Sequence, residues 1–298
     1  MQGKCRKDRA IRGIAFAAAL MGLALFLPGR VVAGWEVGAR TGFDTNVGRS
    51  VDDGDSDVFL LGYAAYLRQA NGEKRFDWTF SGVLEGAAYA DYSDLDYGSA
   101  SISPGLLWIV RPGWTVNLSP FFQVKAVSDS DQSAVAFGAR VDLRQELSRM
   151  LYLGEFVSWT DSRADVETYS YTETAAGVAF GVNWTDAVFT EVGYRYAHGD
   201  SFLSLGTATL APGGGGGSGG GGGSGGAGYR GGTDPVYSAA FGSDVVKDRV
   251  DTHAVDLSAG IDWTPSLFTV ISVTWQTMRG DVGTVDSRSG TVGIGYRF

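Results

Sequence analysis

The chain has a single cysteine, only two histidines and no apolar run long enough for a comfortable transmembrane helix. The cysteine, Cys5, precedes the first apolar run, so it is not the lipid-bearing cysteine of a lipoprotein. A chain with no second cysteine forms no internal disulfide and offers no Cys/His set for zinc. We therefore predict no cofactor, no metal site, and a fold held by hydrogen bonds and packing alone.

Basic residues are scarce outside the N-terminal segment. The first 33 residues contain six Lys and Arg and one acid, which leaves 18 basic and 32 acidic residues and a net charge of −14 for the remainder. A strongly acidic surface repels nucleic acid, and no basic patch is present. We therefore expect no nucleic-acid partner.

The N-terminal segment has the pattern of an export signal. Basic residues are followed by an apolar run from Ile14 to Leu27, then by Pro28 and Gly29, and then by small residues that end at Ala33. This order predicts a cleaved signal peptide, residues 1–33. An uncleaved anchor is the less favoured alternative, because the run is shorter than the roughly 20 residues that a membrane span needs.

Residues 34–298 alternate with a period of two. In the last segment Val292, Ile294 and Tyr296 point one way, while Gly293 and Gly295 point the other. A soluble β-sandwich alternates too, but the polar faces here are rich in small residues and aromatics cluster at segment ends. The clustered tryptophans are Trp35, Trp78, Trp108, Trp114, Trp184 and Trp263. We predict an all-β fold, a transmembrane antiparallel up-and-down β-barrel of about twelve strands.

The connections between segments alternate between short and long. Five tight turns fall within 71–74, 111–114, 148–149, 185–187 and 264–266, and six longer, acidic connections fall around 45–57, 91–97, 128–133, 161–171, 199–251 and 280–288. This arrangement is typical of a Gram-negative outer-membrane barrel with N- and C-termini in the periplasm and long loops outside.

Two segments conflict with a regular barrel. Pro104 and Pro120 interrupt neighbouring strands, and pairing Arg111 with Trp114 places the two prolines one residue out of register. Because proline donates no ladder hydrogen bond, we predict a bulge or kink there. In the seventh strand Glu155 shares a face with apolar residues, so the orientation of that strand stays open.

The chain carries a glycine-rich tract at about 212–232, inside the longest predicted external loop. Its composition buries no apolar area, so we predict that it is disordered. An engineered linker is an alternative origin. The G-x-S-x-G matches at Ser218 and Ser224 lack the strand-to-helix turn that this motif needs.

The two histidines, His198 and His253, flank this loop. Asp200 and Ser201 follow the first of them and Asp251 precedes the second, but by parity both histidines share the lipid-facing register near the external edge. We predict an interfacial role for them, no catalytic residue and no enzyme activity. Acidic loop clusters could attract hard cations, yet their spacing matches no EF-hand loop.

The polar face of the predicted strands carries ionisable residues of both signs. The predicted interior residues are Glu36, Arg40, Asp77, Glu85, Lys125, Arg140, Asp142, Arg144, Glu191, Arg195, Asp256, Asp262 and Arg297. Two readings stay open and are compatible: an ion lattice that braces the interior, or a constriction that sorts small solutes by size and charge.

Two segments resemble known outer-membrane proteins. The stretch around Asp44, Thr45, Asn46 and Val47, with the strand that follows, resembles the start of outer-membrane β-barrel porins and barrel-type surface-protein exporters. The ending GIGYRF, with Tyr296 and terminal Phe298, is similar to the insertion signal read by the barrel assembly machinery. These resemblances imply outer-membrane lipid and, during insertion, the assembly machinery as partners.

The expected function is a porin-like outer-membrane channel for passive passage of small hydrophilic solutes. A surface-exposed structural or export-associated barrel that binds a partner through the long external loop is the alternative. The oligomeric state stays open.

Overall fold

The structure, a computed structural model, describes residues 32–51, 54–69, 74–205, 236–238, 240–241 and 243–298. The predicted signal peptide up to residue 31 and the glycine-rich tract 212–232 lie outside the described residues. Within those residues, no helix is long and apolar enough to cross a membrane.

The described chain forms one antiparallel sheet of thirteen strands. They are β1 (Val32–Asp44), β2 (Asp57–Gln69), β3 (Phe76–Tyr89), β4 (Tyr97–Arg111), β5 (Trp114–Val127), β6 (Ala134–Glu146), β7 (Leu151–Ala164), β8 (Tyr171–Asn183), β9 (Val188–Ser204), β10 (Val236–Ser238), β11 (Ser243–Asp262), β12 (Leu267–Arg279) and β13 (Thr284–Arg297).

Twelve of these strands close into a barrel. Strands β1 to β9 pair in chain order, β9 pairs with β11, and β13 pairs with β1. The short β10 pairs with β11 alone. The predicted twelve-stranded antiparallel barrel is therefore confirmed, and β10 is an unpredicted addition to its rim.

The barrel has two different ends. The turn end carries the start of β1, the end of β13 and the short connections 112–113, 147–150, 184–187 and 263–266. The loop end carries the connections 45–56, 90–96, 128–133, 165–170, 205–242 and 280–283.

The predicted extent of the fifth long loop, 199–251, is wrong. Strands β9 and β11 stay paired as far as Ser204 and Val245. Buried apolar side chains explain this extension, because Leu203, Val246 and Val250 pack in one cluster with residues of β12 and β13. Charged residues between them obscure the alternation in the sequence.

Paired residues of neighbouring strands lie on the same face of the sheet, so the register separates an interior from an exterior face. The exterior carries exposed hydrophobic side chains such as Leu60, Leu106, Val157 and Ile294. All six tryptophans that the sequence placed at segment ends lie on the exterior at the turn end. The remaining two, Trp159 and Trp275, lie on the exterior nearer the loop end.

Two turns at the turn end share one sequence pattern, WTDAVFT at 184–190 and WTPSLFT at 263–269. In the first, the Thr185 hydroxyl accepts hydrogen bonds from the backbone N–H groups of Ala187 and Val188, at 3.1 and 3.0 Å. The indole N–H of Trp184 donates to Thr190 at 3.0 Å. The second turn repeats each of these contacts. Local hydroxyl bonds of this kind favour a tight turn.

The proline hairpin is interrupted, although its register differs from the predicted one. The β4–β5 ladder stops at the pair Ile102–Phe122 and resumes at Leu106–Leu118, and the one-residue register shift falls between Ile109 and Arg111. The shift places Pro104 directly opposite Pro120, rather than one residue away. Because neither proline has an N–H, no ladder bond can form between them.

Strand β7 has its apolar face outward. Glu155 pairs with the exterior residues Leu143 and Val178, and its carboxylate accepts a hydrogen bond from Gln145 at 3.1 Å. The register therefore settles the orientation that the sequence left open, and it places a carboxylate on the exterior surface.

Candidate functional site

The register places all thirteen predicted interior residues on the face opposite the exposed hydrophobic side chains. They lie on seven strands, each of which carries one to three of them: Glu36 and Arg40, for example, lie on β1, and Arg297 is the last residue of β13. They extend from the turn end, where Asp77 and Asp262 lie, to Glu85 and Lys125 nearer the loop end. That they line a solute path stays a prediction.

Three interior tyrosines each join a carboxylate to a cation. Tyr63 donates to Glu36 at 2.9 Å and carries the Arg40 guanidinium over its ring at 5.2 Å. The same arrangement recurs twice. Tyr97 joins Glu85 to Lys125, and Tyr152 joins Glu191 to Arg144. We call these three groups the tyrosine triads.

Within each triad the carboxylate and the cation contact the same tyrosine and form no ion pair with each other. The carboxylate accepts a hydrogen bond from the phenol, and the cation lies over the face of the ring, which attracts cations through its quadrupole. Direct interior ion pairs are few in the described residues. Arg297 reaches Glu36 and Asp262 at 3.2 and 3.1 Å, Arg195 pairs with Glu173, and Arg140 pairs with Asp142 at 2.6 Å.

The first long connection, residues 45–56, which we call loop 1, crosses the mouth at the loop end. It leaves β1 and reaches β9, where Val51 donates its backbone N–H to Ser204 at 3.2 Å and Ser204 donates back to Arg49 at 3.1 Å. The Arg49 guanidinium bonds Ser201 at 2.6 Å and lies over the Phe202 ring.

Arg49 was missed by the sequence analysis, because it lies in a loop rather than on an alternating strand. It is the one non-glycine residue with positive φ in the described residues, at 52°, a conformation that the surrounding contacts must stabilise. Burial lowers the pKa of Arg49, and Tyr171, Glu173 and Asp44 oppose that shift. Its guanidinium stays charged at physiological pH.

The Asp-x-Asn-Val element forms the base of loop 1. The buried Asn46 side chain accepts from the Ser50 backbone N–H at 2.8 Å and donates to the Ser50 carbonyl at 2.9 Å and the Asp286 carbonyl at 3.3 Å. Asp44 accepts from the Asn46 N–H at 2.8 Å and from the Ser287 hydroxyl at 2.9 Å. This element therefore fixes the direction in which loop 1 enters the mouth.

Besides a space of about 200 Å³ between Arg49, Glu173 and Arg195, two further cavities lie inside the barrel in the described part of the chain. One, of about 280 Å³ at the loop end, is lined by loop 1 and by side chains of β1, β3, β5, β9, β12 and β13. The other, of about 530 Å³ and nearer the turn end, is lined by residues that include Arg140, Arg144, Tyr152, Glu191 and Asp256. Polar and charged groups thus line interior space at both levels.

The histidines lie on the exterior face near the loop end. His198 contacts Asp251 at 2.9 Å, and His253 contacts the Tyr194 hydroxyl at 2.7 Å. Ser201 lies on the interior face, so the register separates it from both histidines. In the described part of the chain, neither histidine bonds a hydroxyl of serine, as a nucleophile activated by histidine would require.

Acidic residues at the loop end bind backbone groups of the connections there. Asp57 accepts from the N–H groups of Asp91 and Tyr92, and Asp129 caps the 3-10 turn Ser130–Gln132. Burial and a hydrogen bond to Asp55 raise the pKa of Tyr92 to about 12. These carboxylates therefore order the loops.

No protein-family profile matches this sequence, and no curated protein is detectably similar to it. Solved structures do match its fold. An outer membrane channel from Pseudomonas putida F1 has 7% identity and a TM-score of 0.54, over 91% of this chain and 97% of that one. The KdgM porin has 11% identity and a TM-score of 0.44, over 88% and 99%. The transport unit of the Escherichia coli autotransporter AIDA-I has 12% identity and a TM-score of 0.44, over 95% and 97%. The chain thus shares its β-barrel fold with the outer membrane channel from Pseudomonas putida F1.

Proposed function

We propose that this protein is an outer-membrane channel for passive passage of small hydrophilic solutes. One observation carries the proposal: a closed barrel with an apolar exterior has charged side chains of both signs around interior cavities. Charged groups removed from water are costly unless they have partners. The tyrosine triads leave Arg40, Lys125 and Arg144 without a carboxylate partner in the described residues, so these groups can act on passing ions.

The same proposal includes location and orientation. A leader, residues 1–33, would direct export, and the termini and the turn end would face the periplasm. The six tryptophans of the turn end would then lie at the inner interface of the outer membrane, where amphipathic rings are favoured. Tyr296 and Phe298, both exposed at the end of the chain, would serve as the insertion signal.

Conductance across a planar bilayer tests the proposal. The purified barrel should give discrete current steps in concentrated KCl. Liposomes that contain it should swell in solutions of small sugars, amino acids or organic acids. The double variant Arg144→Gln and Arg140→Gln should change step size or ion selectivity, because it removes two cations that line the larger cavity. Folded protein that inserts but shows no steps above leak would overturn the channel proposal.

The export-associated alternative depends on the long loop at 206–235, which lies outside the described residues. No described contact favours it over a channel. Deletion of 212–232 would separate the two functions, since conductance should survive if the barrel is a channel.

A further inference from the structure

Arg49 and Lys125 line the same cavity from different elements. Arg49 enters it from loop 1, and Lys125 enters from β5. The cavity of about 280 Å³ lies directly below the crossing of loop 1, so a solute that moves along the barrel passes both cations.

Neither cation forms an ion pair with a carboxylate among the described residues, although Asp44 and Glu173 act on Arg49, and Glu85 acts on Lys125, from beyond ion-pair distance. Arg49 contacts the Ser201 hydroxyl at 2.6 Å and the Phe202 ring at 4.6 Å. Lys125 lies over the Tyr97 ring at 4.2 Å. A half-buried cation without a carboxylate partner gains most from a bound anion, because charge-assisted hydrogen bonds are about twice as strong as neutral ones.

The carboxylates near these cations already accept hydrogen bonds. Glu85 accepts from the Tyr97 hydroxyl at 2.7 Å, and Asp44 accepts from Asn46 and Ser287. The other walls supply neutral polar groups, which include Gln276 and Ser289. The walls therefore offer two cations and further amide and hydroxyl groups to an anion.

We propose that this cavity is a binding site for small organic anions, whose carboxylate or phosphate group lies between Arg49 and Lys125. The proposal rests on the channel function and names its solute class. A volume of about 280 Å³ is at the lower limit of small-molecule pockets, so the solute is a small acid rather than a polymer segment bound whole.

The ion selectivity of the channel and the block of its chloride current by added anions test the proposed site. In planar bilayers with a KCl gradient, Arg49→Gln and Lys125→Gln should each lower the chloride-to-potassium permeability ratio several-fold. Succinate or inorganic phosphate should reduce the chloride current of the unsubstituted channel, and each variant should need about tenfold more anion for half-block, the loss typical of one charge-assisted hydrogen bond. Arg49→Lys and Lys125→Arg should retain most of the selectivity.

Arg249→Gln is the matched control, since it removes the same charge from an exterior side chain that is 71% exposed. If Arg49→Gln and Lys125→Gln change selectivity and block no more than Arg249→Gln does, the anion site is wrong while the channel stands. If the unsubstituted barrel shows no conductance, the channel proposal itself fails. If only phosphate blocks, or only succinate, the site holds and the solute class is narrowed accordingly.

Discussion

Tyr63, Tyr97 and Tyr152 are the residues through which this barrel holds opposite charges inside without pairing them directly. A phenol can donate from its hydroxyl and accept a cation on its ring at the same time. Each tyrosine therefore stabilises an acid and a base together. An arginine bound directly to a carboxylate would form a tighter pair, but the two charges would then produce a weaker electric field in the barrel interior.

Glu155 shows the opposite situation, a carboxylate on the exterior face. It is bonded by Gln145 alone among the described residues, and its strand neighbours are apolar. A charged side chain on the lipid face of a barrel destabilises the fold in a way that depends on depth.

Replacement of Glu155 by leucine should therefore stabilise the folded barrel. We expect a gain of about 1 kcal/mol in the free energy of unfolding, because the cost of an acid on the lipid face is removed. Urea titration of the barrel in lipid vesicles measures this. Val157→Glu, two residues along the same face, should lower stability. If Glu155→Leu destabilises the barrel, the outward orientation of β7 is wrong.

At the scale of strands, alternation predicted the elements well and their ends poorly. Segments such as 135–144 alternate large apolar with small or charged residues, so their faces follow from sequence. The extension of β9 to Ser204 does not, because its stability depends on contacts of Leu203 with residues more than 40 positions away. The crossing of loop 1 likewise depends on Ser201 and Ser204, which no local pattern connects to Arg49.

The proline register shows a third limit. The prediction that a two-residue turn pairs Arg111 with Trp114 is correct at that pair. Pro112 and Gly113 form the turn, and the φ of 76° at Gly113 is the positive value that a type II turn requires at its third residue. The shift after that pair changes every later pairing by one residue. In the observed register Leu106 lies opposite Leu118 on the exterior face, whereas the turn count would place each of them opposite an interior residue. The alternation of the two strands therefore favours the observed register, and the turn count alone gave the wrong one.

The proline gap predicts a local change on substitution. Pro104→Ala together with Pro120→Ala should restore two N–H donors and complete the ladder between β4 and β5, adding about 1 kcal/mol per bond. Amide exchange at residues 104 and 120 should be as slow as at their ladder neighbours. Leu106→Ala and Leu118→Ala, on the same face beside the gap, provide the control, because they shorten side chains there without adding an N–H donor. Fast exchange at both new amides would show that the strands stay separated.

Loop 1 should depend on Asn46. Asn46→Ala removes three hydrogen bonds of a buried side chain and should loosen the loop by about 1–3 kcal/mol, the cost of leaving buried partners unsatisfied. Amide exchange of residues 47–51 should rise by at least tenfold, while exchange in β6 stays unchanged. Asp94→Ala, in an exposed 3-10 turn, should leave loop 1 as it is. Equal protection of residues 47–51 in both variants would contradict the role of Asn46 in holding loop 1 in place.

The whole molecule is asymmetric along the barrel axis. Tryptophans concentrate on the exterior of the turn end, whereas the loop end carries acid-rich connections and the crossing of loop 1. The chain after Cys5 has no thiol, so single cysteines can report on either end without interference.

Surface labelling tests the proposed orientation. Asp94→Cys at the loop end and Asp186→Cys at the turn end are both exposed positions. In intact cells, a membrane-impermeant maleimide should label Asp94→Cys and not Asp186→Cys, and after lysis it should label both. The reverse pattern would place the turn end outside the cell. A thiol signal from the unsubstituted protein would show that Cys5, and with it the leader, is retained.

The position of the tryptophans also gives this protein an intrinsic optical reporter. Six of its eight indoles lie on one level of the barrel wall, so its emission spectrum mainly describes the surroundings of that level. Lipids brominated near the headgroup should quench this emission strongly and lipids brominated at the chain ends should quench it weakly. The two remaining indoles, Trp159 and Trp275, can be replaced by phenylalanine to make that readout come from a single interface.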